Sequence, residues 1–344
     1  MSRRRFTAAA AAAAASVAVF QSSPANALAR SVAPPATTAV ADDGAQVVAA
    51  TYVGPRTLDL TIDSLALASS SAMVRLLLPP GWSATTGQRW PVLYLLHGAG
   101  DDYTSWTRST DIALLTANTG VIVAMPTGGA AGFYSNWWNL GSGGAPAWET
   151  FHLLEVRQIL ERGYAAAPVR AIAGLSMGGF GAMAYAARNP GMFLAAASYS
   201  GVVDTVYAEP DLALSGPSLI EGTLIKDGFD PADLWGSPTA NAAIWATHNP
   251  DTDGLAMKLV GIPLFVSSGN GQPGPLDPSG TPSDPFIEPL VEQMSKAFVS
   301  RLRTLGANVT ADFYGPGIHN WPEWQQELHR SFPLLMSALG VQTS

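Results

Sequence analysis

The sequence contains no cysteine in 344 residues, and charged residues make up only 13% of it. Without cysteine, neither a disulfide framework nor a thiolate metal centre can form, so the packed core alone must stabilise the fold. Histidine is also scarce, at five residues. No histidine lies in a cluster with the spacing of metal ligands. We therefore predict no metal and no organic cofactor.

Positive charge is the second thing that the chain has little of. It carries 18 Lys and Arg residues against 26 Asp and Glu residues, for a net charge of −8. Such a chain lacks the basic surface that nucleic acid or an anionic membrane requires. The 47% of hydrophobic residues suffices for one sizeable core. The composition therefore indicates a globular protein without a nucleic-acid partner.

The N-terminal segment has the pattern of a secretory signal peptide, predicted over residues 1–27. Arg3, Arg4 and Arg5 precede an apolar run from Ala8 to Phe20, and Ala25-Asn26-Ala27 provides a small-residue cleavage site. The arginines also resemble a twin-arginine export signal. Cleavage would leave 15 basic and 26 acidic residues, a net charge of −11. We expect export to the exterior or cell envelope, with no integral membrane span.

The rest of the chain is predicted to be a linker over residues 28–50 and a single α/β domain over residues 51–344. The linker region is rich in Ala, Pro, Thr and Val without patterning. Buried strands then alternate with helices, which predicts a mostly parallel sheet covered on both faces. Strands are predicted at 57–62, 72–78, 91–96, 121–125, 168–173, 194–200, 262–267 and 309–313, and helices at 149–162, 180–188, 285–305 and 324–339. Residues 206–250, too irregular for a simple crossover, are expected to form a lid or insertion.

The segment Gly174-Leu175-Ser176-Met177-Gly178 has the Gly-x-Ser-x-Gly pattern of a nucleophile elbow. Small neighbours allow the sharp turn between strand and helix, and an apolar strand precedes the motif while a helical pattern follows it. This context predicts an α/β-hydrolase fold with Ser176 as the nucleophile. A serine hydroxyl needs a histidine to take its proton and a carboxylate to orient that histidine.

The base should follow the serine, because the chain order in this fold is serine, acid, histidine. Three histidines qualify. His329 lies within the last predicted helix and His248 within the irregular insertion, whereas His319 lies in the loop between the last strand and the last helix. That loop is where the base of this fold belongs, so we predict His319.

The residues alone leave the acid open. Asp277 follows the strand at 262–267, the usual place, and Glu288 lies slightly later, where the loop becomes a helix. Asp284 is close to Glu288 and belongs to the same turn. The oxyanion hole requires two backbone N–H groups, for which we predict Met177 and Ala99. His97, beside Ala99, is expected to be a structural or rim residue.

Several further motifs resemble the antigen 85 mycolyltransferases of mycolic-acid-bearing actinobacteria, in the same order along nearly the whole predicted domain. The resemblance is carried by the motifs Asp101-Asp102-Tyr103-x-x-Trp106, Met125-Pro126-x-Gly128-Gly129, Phe133-Tyr134-Ser135-Asn136-Trp137, Trp148-Glu149-Thr150-Phe151, Gly216-Pro217-Ser218-Leu219-Ile220, Leu234-Trp235-Gly236, Gly269-Asn270-Gly271 and Gly317-x-His319-x-Trp321-x-x-Trp324.

The resemblance implies residue roles that the bare pattern does not. The family's glutamate in a Phe-x-Glu motif matches Phe286-Ile287-Glu288, which makes Glu288 the preferred acid and Asp277 the alternative. Substrate contacts carried over from the family are Asp204, Asn320 and Trp321. The implied activity is a secreted serine acyltransferase that moves a mycolyl or other long acyl chain from acylated trehalose, or another lipid ester, to trehalose, a cell-wall sugar or diacylglycerol through an acyl-enzyme.

The chain departs from the family in the oxyanion loop. His97-Gly98-Ala99-Gly100 replaces an Asp-Gly-Leu-Arg sequence whose charged residues contact the sugar, so we expect a divergent member. A secreted carboxylesterase with the same triad, using water as the acceptor, is the alternative. A carbohydrate- or matrix-binding relative without activity is a third hypothesis, disfavoured because Ser176, Glu288 and His319 are all present.

Overall fold

A computed structural model describes residues 39–85, 87–212 and 214–342. The predicted signal peptide lies outside the described residues. The strands are β1 Gln46–Tyr52, β2 Thr57–Ser64, β3 Ser70–Leu77, β4 Trp90–Leu96, β5 Ile122–Pro126, β6 Ala166–Leu175, β7 Ala196–Tyr199, β8 Leu264–Gly269 and β9 Val309–Gly315. The α-helices are α1 Ser105–Ser109, α2 Ile112–Leu115, α3 Trp148–Thr150, α4 Arg157–Gly163, α5 Met177–Arg188, α6 Gly216–Lys226, α7 Pro231–Trp235, α8 Ala242–His248, α9 Asp253–Ala256, α10 Ile287–Thr304 and α11 Trp321–Ala338.

Within the described residues the strands form one nine-stranded sheet, in the order β1-β2-β3-β5-β4-β6-β7-β8-β9. The first three strands and the β3–β5 pair are antiparallel. The other neighbouring pairs, from β5 to β9, are parallel. Every residue of β5 and β8 is buried, as expected for strands covered on both faces. The predicted mostly parallel sheet of an α/β-hydrolase fold is confirmed.

Helices cover both faces of the sheet and produce two apolar layers. One layer contains Phe180 of α5 and Phe298 of α10 among its buried side chains. The other contains Trp106 of α1 together with Leu328 and Phe332 of α11. Aromatic and aliphatic side chains of this size contribute about 1.5–3 kcal/mol each when fully buried. These layers supply the stability that a chain without cysteine needs.

The linker prediction is wrong for its described part. Gln46–Tyr52 forms β1, which pairs antiparallel with β2, and both Ala45 and Val47 are buried. β1 lies at the edge of the sheet and leaves most of its side chains partly or fully exposed, with a register shift between Val47 and Ala49. Its apolar run from Val47 to Ala50 continues the Ala- and Val-rich composition of the preceding residues, so composition alone does not distinguish the strand from a linker.

Two other predicted segments differ from the prediction in their secondary structure. The predicted helix at 149–162 is a continuous helical segment from α3 to α4, with a π-helical turn at Phe151–Val156 between them. The insertion at 206–250 contains the three helices α6, α7 and α8. Among the described residues, no helix is both long and apolar enough to cross a bilayer.

The parallel strands deliver the predicted site residues to one edge of the sheet. β4 leads into the loop with Ala99, β6 ends immediately before Ser176, and β9 leads into the loop with His319. Because the strands are parallel, their carboxyl ends meet at the same edge, which is where open α/β sheets bind ligands.

Candidate active site

Ser176 occupies a strained turn between β6 and α5, with φ 50° and ψ −121°. Positive φ is unfavourable for a residue with a side chain and persists only where the surroundings enforce it. A Cβ on Gly174 would lie 2.2 Å from the Gly178 carbonyl oxygen, and one on Gly178 would lie 2.3 Å from the Leu96 carbonyl oxygen. Both glycines of the motif are therefore required by close backbone contacts, as the sequence predicts for an elbow.

Ser176 lines a cavity of about 770 Å³, a volume within the usual range for ligand pockets. The loop at residues 98–101 and His319–Trp321 contribute to its lining, together with residues of α6 and the start of α10. Part of the predicted insertion, α6, thus forms a wall of this cavity. The predicted nucleophile, base and oxyanion residues all line it.

His319 is held in one orientation by a carboxylate and an indole ring. Its Nδ1 lies 2.6 Å from Glu288 Oε2, and its ring packs edge-on against Trp324 at a centroid distance of 4.9 Å and an angle of 86°. A carboxylate at Nδ1 favours the tautomer with the proton on Nδ1, which leaves Nε2 as an acceptor. Within the described ranges no hydrogen bond joins His319 to Ser176; in hydrolases this contact often tightens only with substrate bound.

Glu288 is fully buried, and each carboxylate oxygen has a partner. Its Oε1 accepts hydrogen bonds from Ser200 Oγ at 2.8 Å and from the Gly269 N–H at 2.7 Å. Trp324 Nε1 in turn donates to Ser200 Oγ at 3.2 Å. A buried carboxylate requires such compensation, because an unpaired charge away from water is very costly. The network fixes the oxygen that faces His319.

Ser200 is the site residue that sequence reasoning misses. It lies directly after β7 with φ 46°, and its N–H donates to the Ser267 carbonyl oxygen at 2.7 Å. A polar residue at the carboxyl end of a buried parallel strand is the available signal, since that edge carries the ligand site. Its hydroxyl links Glu288 to Trp324 and so joins the two groups that hold His319.

The other candidate carboxylates have different partners. Asp277 accepts from Asn320 Nδ2 at 2.5 Å and from the Gly274 N–H at 2.7 Å. Asp284 accepts from three backbone N–H groups at the start of α10, among them that of Glu288, each at 3.0 Å. Such a carboxylate satisfies N–H groups that have no partner within the helix. Glu288 is therefore the carboxylate that contacts His319.

Ala99 and Met177, the predicted oxyanion residues, both line the cavity. Met177 is the first residue of α5, so its N–H has no acceptor within the helix and lies at the positive end of the helix dipole. A Cβ on Gly98 would lie 3.5 Å from Ser176 Cβ, which shows how closely this loop approaches the elbow. The Gly100 N–H donates to the Ala130 carbonyl oxygen at 2.8 Å and fixes the loop.

His97 is buried beneath this loop and is a structural residue. Its Nε2 accepts from the Gly128 N–H at 2.8 Å, and its Nδ1 lies 2.7 Å from the Gly98 carbonyl oxygen, to which it donates. Tyr134 Oη donates to the His97 carbonyl oxygen at 2.8 Å. Burial lowers the pKa of His97, which keeps the ring neutral. The ring therefore connects the Gly98 loop to the segment around Gly128.

The predicted substrate contacts divide into two groups. Asn320 and Trp321 line the cavity. Asp204 is not among the lining residues of this cavity, and its contact with substrate stays a prediction. Its Oδ1 accepts from Asn249 Nδ2 at 2.8 Å and from the Val206 N–H at 3.2 Å. The bond to Asn249 joins the loop after β7 to the segment that follows α8.

Buried carboxyl groups also lie on α11, next to the His319 loop. Burial raises the pKa of Glu323 to about 7, with further contributions from the nearby Asp277 and Glu288 carboxylates. Burial likewise raises the pKa of Glu327 to about 7.

In the part of the chain that the structure describes, no group of three His, Asp or Glu side chains is arranged to hold a metal ion.

Because the carboxyl groups of Glu323 and Glu327 have raised pKa values, we predict that the protein loses stability as the pH rises through 7. The pKa of Glu327 is about 7 when folded and 4.5 ordinarily, so the folded state keeps a proton that the unfolded state has released. The resulting stabilisation is complete below pH 4.5 and is lost as the pH passes 7. Between pH 6.5 and 8 we expect a loss of about 0.8 kcal/mol from this group, or a Tm lower by about 2 °C.

Thermal unfolding of Glu327→Gln between pH 6.5 and 8 checks this, with Glu209→Gln, at an exposed position, as the matched control. Between pH 6.5 and 8, Tm should fall less in Glu327→Gln than in the wild type, and it should fall as much in the control as in the wild type. Equal falls in both variants would show that Glu327 is not protonated in the folded state at neutral pH.

Comparisons with known proteins agree with this architecture. The family model for putative esterases matches residues 67–335. The diacylglycerol acyltransferase/mycolyltransferase Ag85A of Mycobacterium ulcerans is 33% identical over 265 residues, covering 74% of this chain and 76% of the relative. The Ag85B protein of Mycobacterium intracellulare is 33% identical over 264 residues, covering 74% and 77%.

Similar folds also occur among solved structures. The crystal structure of MPT51 (FbpC1) from Mycobacterium tuberculosis superimposes with a TM-score of 0.63 and 25% identity, covering 79% of this chain and 94% of that one. These matches indicate an enzyme of the acyltransferase and esterase class. The chain belongs to the antigen 85 mycolyltransferase family within the esterase superfamily, as a divergent member.

Proposed function

We propose that the protein is a serine acyltransferase that moves a mycolyl or other long acyl chain between trehalose esters, or onto a cell-wall sugar or diacylglycerol. The observation that carries the proposal is the 2.6 Å hydrogen bond between His319 and Glu288, in the same cavity as Ser176 on its elbow. The relatives named diacylglycerol acyltransferase/mycolyltransferase support the choice of acyl transfer.

In the first half of the reaction, Ser176 Oγ attacks the ester carbonyl of the donor while its proton passes to His319 Nε2. Glu288 stabilises the imidazolium through Nδ1–H, and the N–H groups of Ala99 and Met177 bind the oxyanion. The carbon–oxygen bond to the leaving sugar then breaks, and that sugar oxygen takes the proton from His319. The acyl group remains on Ser176.

In the second half, an acceptor hydroxyl gives its proton to His319 Nε2 and attacks the acyl-enzyme. Collapse of the tetrahedral intermediate returns the proton to Ser176 and releases the new ester. Water competes with the acceptor at this step, so a transferase and an esterase share every group described and differ only in the hydroxyl that the cavity admits. Asn320 and Trp321, which line the cavity, are the proposed contacts to the sugar.

We also propose that the protein is exported to the cell envelope, where such donors and acceptors occur. The signal-peptide pattern of residues 1–27 supports this, although those residues lie outside the described ranges. The lipid ester donor would reach the cavity from the envelope.

A secreted carboxylesterase is the second candidate, and one observation favours it. The loop that replaces the family's charged sequence has a buried histidine and otherwise only Gly and Ala at residues 98–100. These residues offer no charged side chain to a sugar at the positions where the family resemblance implies one.

The acceptor distinguishes the two candidates. With a long-chain trehalose ester as donor and saturating trehalose as acceptor, we expect more acyl group on the second trehalose than released as free acid. The expectation rests on competition at the acyl-enzyme, where a bound sugar hydroxyl excludes water. Both products are quantified by chromatography and mass spectrometry.

The same assay run with maltose as the matched disaccharide controls for general effects of added sugar. If free acid predominates at saturating trehalose, the carboxylesterase is the correct function. Rapid cleavage of p-nitrophenyl esters at a rate indifferent to trehalose would lead to the same conclusion.

A further inference from the structure

The helix α6 contributes one continuous face to the cavity that contains Ser176. The lining residues from this helix are Ser218, Leu219, Gly222, Thr223 and Lys226. Their spacing places them along a single side of an α-helix. At 1.5 Å per residue, this face is about 12 Å long from its first residue to its last.

Gly222 is the unexpected residue on this face. It lies inside the helix, where glycine is less favourable than alanine by about 1 kcal/mol. An added Cβ there would meet no atom within 4 Å, so no neighbouring element requires a glycine. This contrasts with Gly174 and Gly178, whose missing side chains allow direct backbone contacts. Gly222 is exposed and also lines the cavity, so the free space beside it is shared between the cavity and solvent.

The chemistry of the nearby lining indicates what fills this space. Leu214 precedes the helix, Leu219 lies on it, and Phe286 and Ile287 contribute apolar surface from the start of α10. Phe286 is 54% exposed, and together these apolar side chains give the cavity the hydrophobic lining that is usual for ligand pockets. The cavity also has polar lining residues, which include Ser218, Thr223, Lys226, Asp101 and Asn320.

We propose that Gly222 is a specificity-determining residue: its missing side chain leaves room along α6 for the acyl chain of the substrate. The inference rests on the proposed acyl-transfer function and extends it to one position. A larger side chain at residue 222 would occupy part of the cavity beside Leu219 and hinder long acyl chains, because the side chain and the acyl chain cannot fill the same space.

The test compares p-nitrophenyl butyrate with p-nitrophenyl palmitate in the wild type, Gly222→Ala and Gly222→Leu. The ratio of kcat/KM for palmitate to that for butyrate should fall at least tenfold in Gly222→Leu, and by a smaller factor in Gly222→Ala. Gly254→Leu is the matched control, since Gly254 is also helical, has no atom near an added Cβ and lies outside this cavity. Its ratio should equal that of the wild type.

Thermal unfolding provides a readout independent of activity. Gly222→Ala should raise Tm by about 2–4 °C, because it removes an unfavourable helical glycine without a clash. If Gly222→Leu does not fold, the smaller change in the ratio for Gly222→Ala decides the question. An unchanged ratio in a folded variant overturns the inference alone. Failure of the wild type to form an acyl-enzyme with palmitate overturns the proposed long-chain function as well.

Discussion

Replacing Ser176 by alanine is expected to lower kcat/KM for ester cleavage by about 10⁴-fold or more. The substitution removes the only atom that the proposed mechanism acylates. It leaves the Met177 N–H and the rest of the cavity in place. Alanine is smaller than serine, so the turn at φ 50° meets no new contact. Residual activity would reflect oxyanion binding and substrate positioning alone.

The measurement is hydrolysis of p-nitrophenyl butyrate together with labelling by a fluorophosphonate probe. Both should disappear in Ser176→Ala. Ser218→Ala is the control, because Ser218 is another serine hydroxyl that lines the same cavity, and it should keep both signals within tenfold. Loss of labelling in Ser218→Ala with retention in Ser176→Ala would show that the nucleophile is Ser218 and not Ser176.

The second large effect is expected from Glu288→Gln, at about 10³- to 10⁴-fold in kcat. Gly269 and Ser200 both donate to Oε1, so the amide oxygen of glutamine should occupy that position. The amide NH₂ group then faces His319 Nδ1 and turns it into an acceptor. The imidazole proton moves to Nε2. A protonated Nε2 cannot accept the proton of Ser176.

Asp277→Asn is the matched control, an acid-to-amide change at the alternative carboxylate. Asp277 contacts Asn320, so we expect less than a tenfold loss in kcat, with the change mainly in KM. The ¹⁵N shifts of His319 would report the tautomer in both variants. A larger loss in Asp277→Asn than in Glu288→Gln would contradict the pairing of Glu288 with His319.

The elbow could be predicted from the sequence because its causes are local. Gly174 and Gly178 are required by backbone contacts within and beside the motif, and the strand and helix that flank it have strong patterns. The central strands could also be predicted from the sequence, since strands buried on both faces appear as continuous apolar runs. β1 was not predicted, because its apolar run from Val47 to Ala50 continues the Ala- and Val-rich composition of the residues before it.

The acid could not be chosen from the residues alone, because the choice depends on how two loops lie in space. Ten residues, 278–287, separate Asp277 from Glu288. Only the folded loop shows that Asp277 contacts Asn320 while Glu288 contacts His319. The family resemblance named Glu288 where the pattern left two choices. Asp204 was carried over by the same resemblance, and its contact with substrate stays a prediction; in the structure it accepts a hydrogen bond from Asn249.

Ser200 and the buried acids Glu323 and Glu327 were also beyond sequence reasoning. Their significance depends on burial and on partners far away in the chain, such as the 88-residue separation between Ser200 and Glu288. A helical pattern predicts α11 but does not show that two of its glutamates are almost fully buried.

The most direct measurement of the central claim is the discharge of the acyl-enzyme, followed by intact-protein mass spectrometry. The wild type is first loaded with a long-chain trehalose ester and then mixed with buffer or with trehalose. We predict a mass increase equal to the acyl group, absent in Ser176→Ala, that decays faster with trehalose than in buffer and yields acylated trehalose. No mass increase, or decay at the same rate in buffer and in trehalose with free acid as the product, would contradict acyl transfer through Ser176 to a sugar.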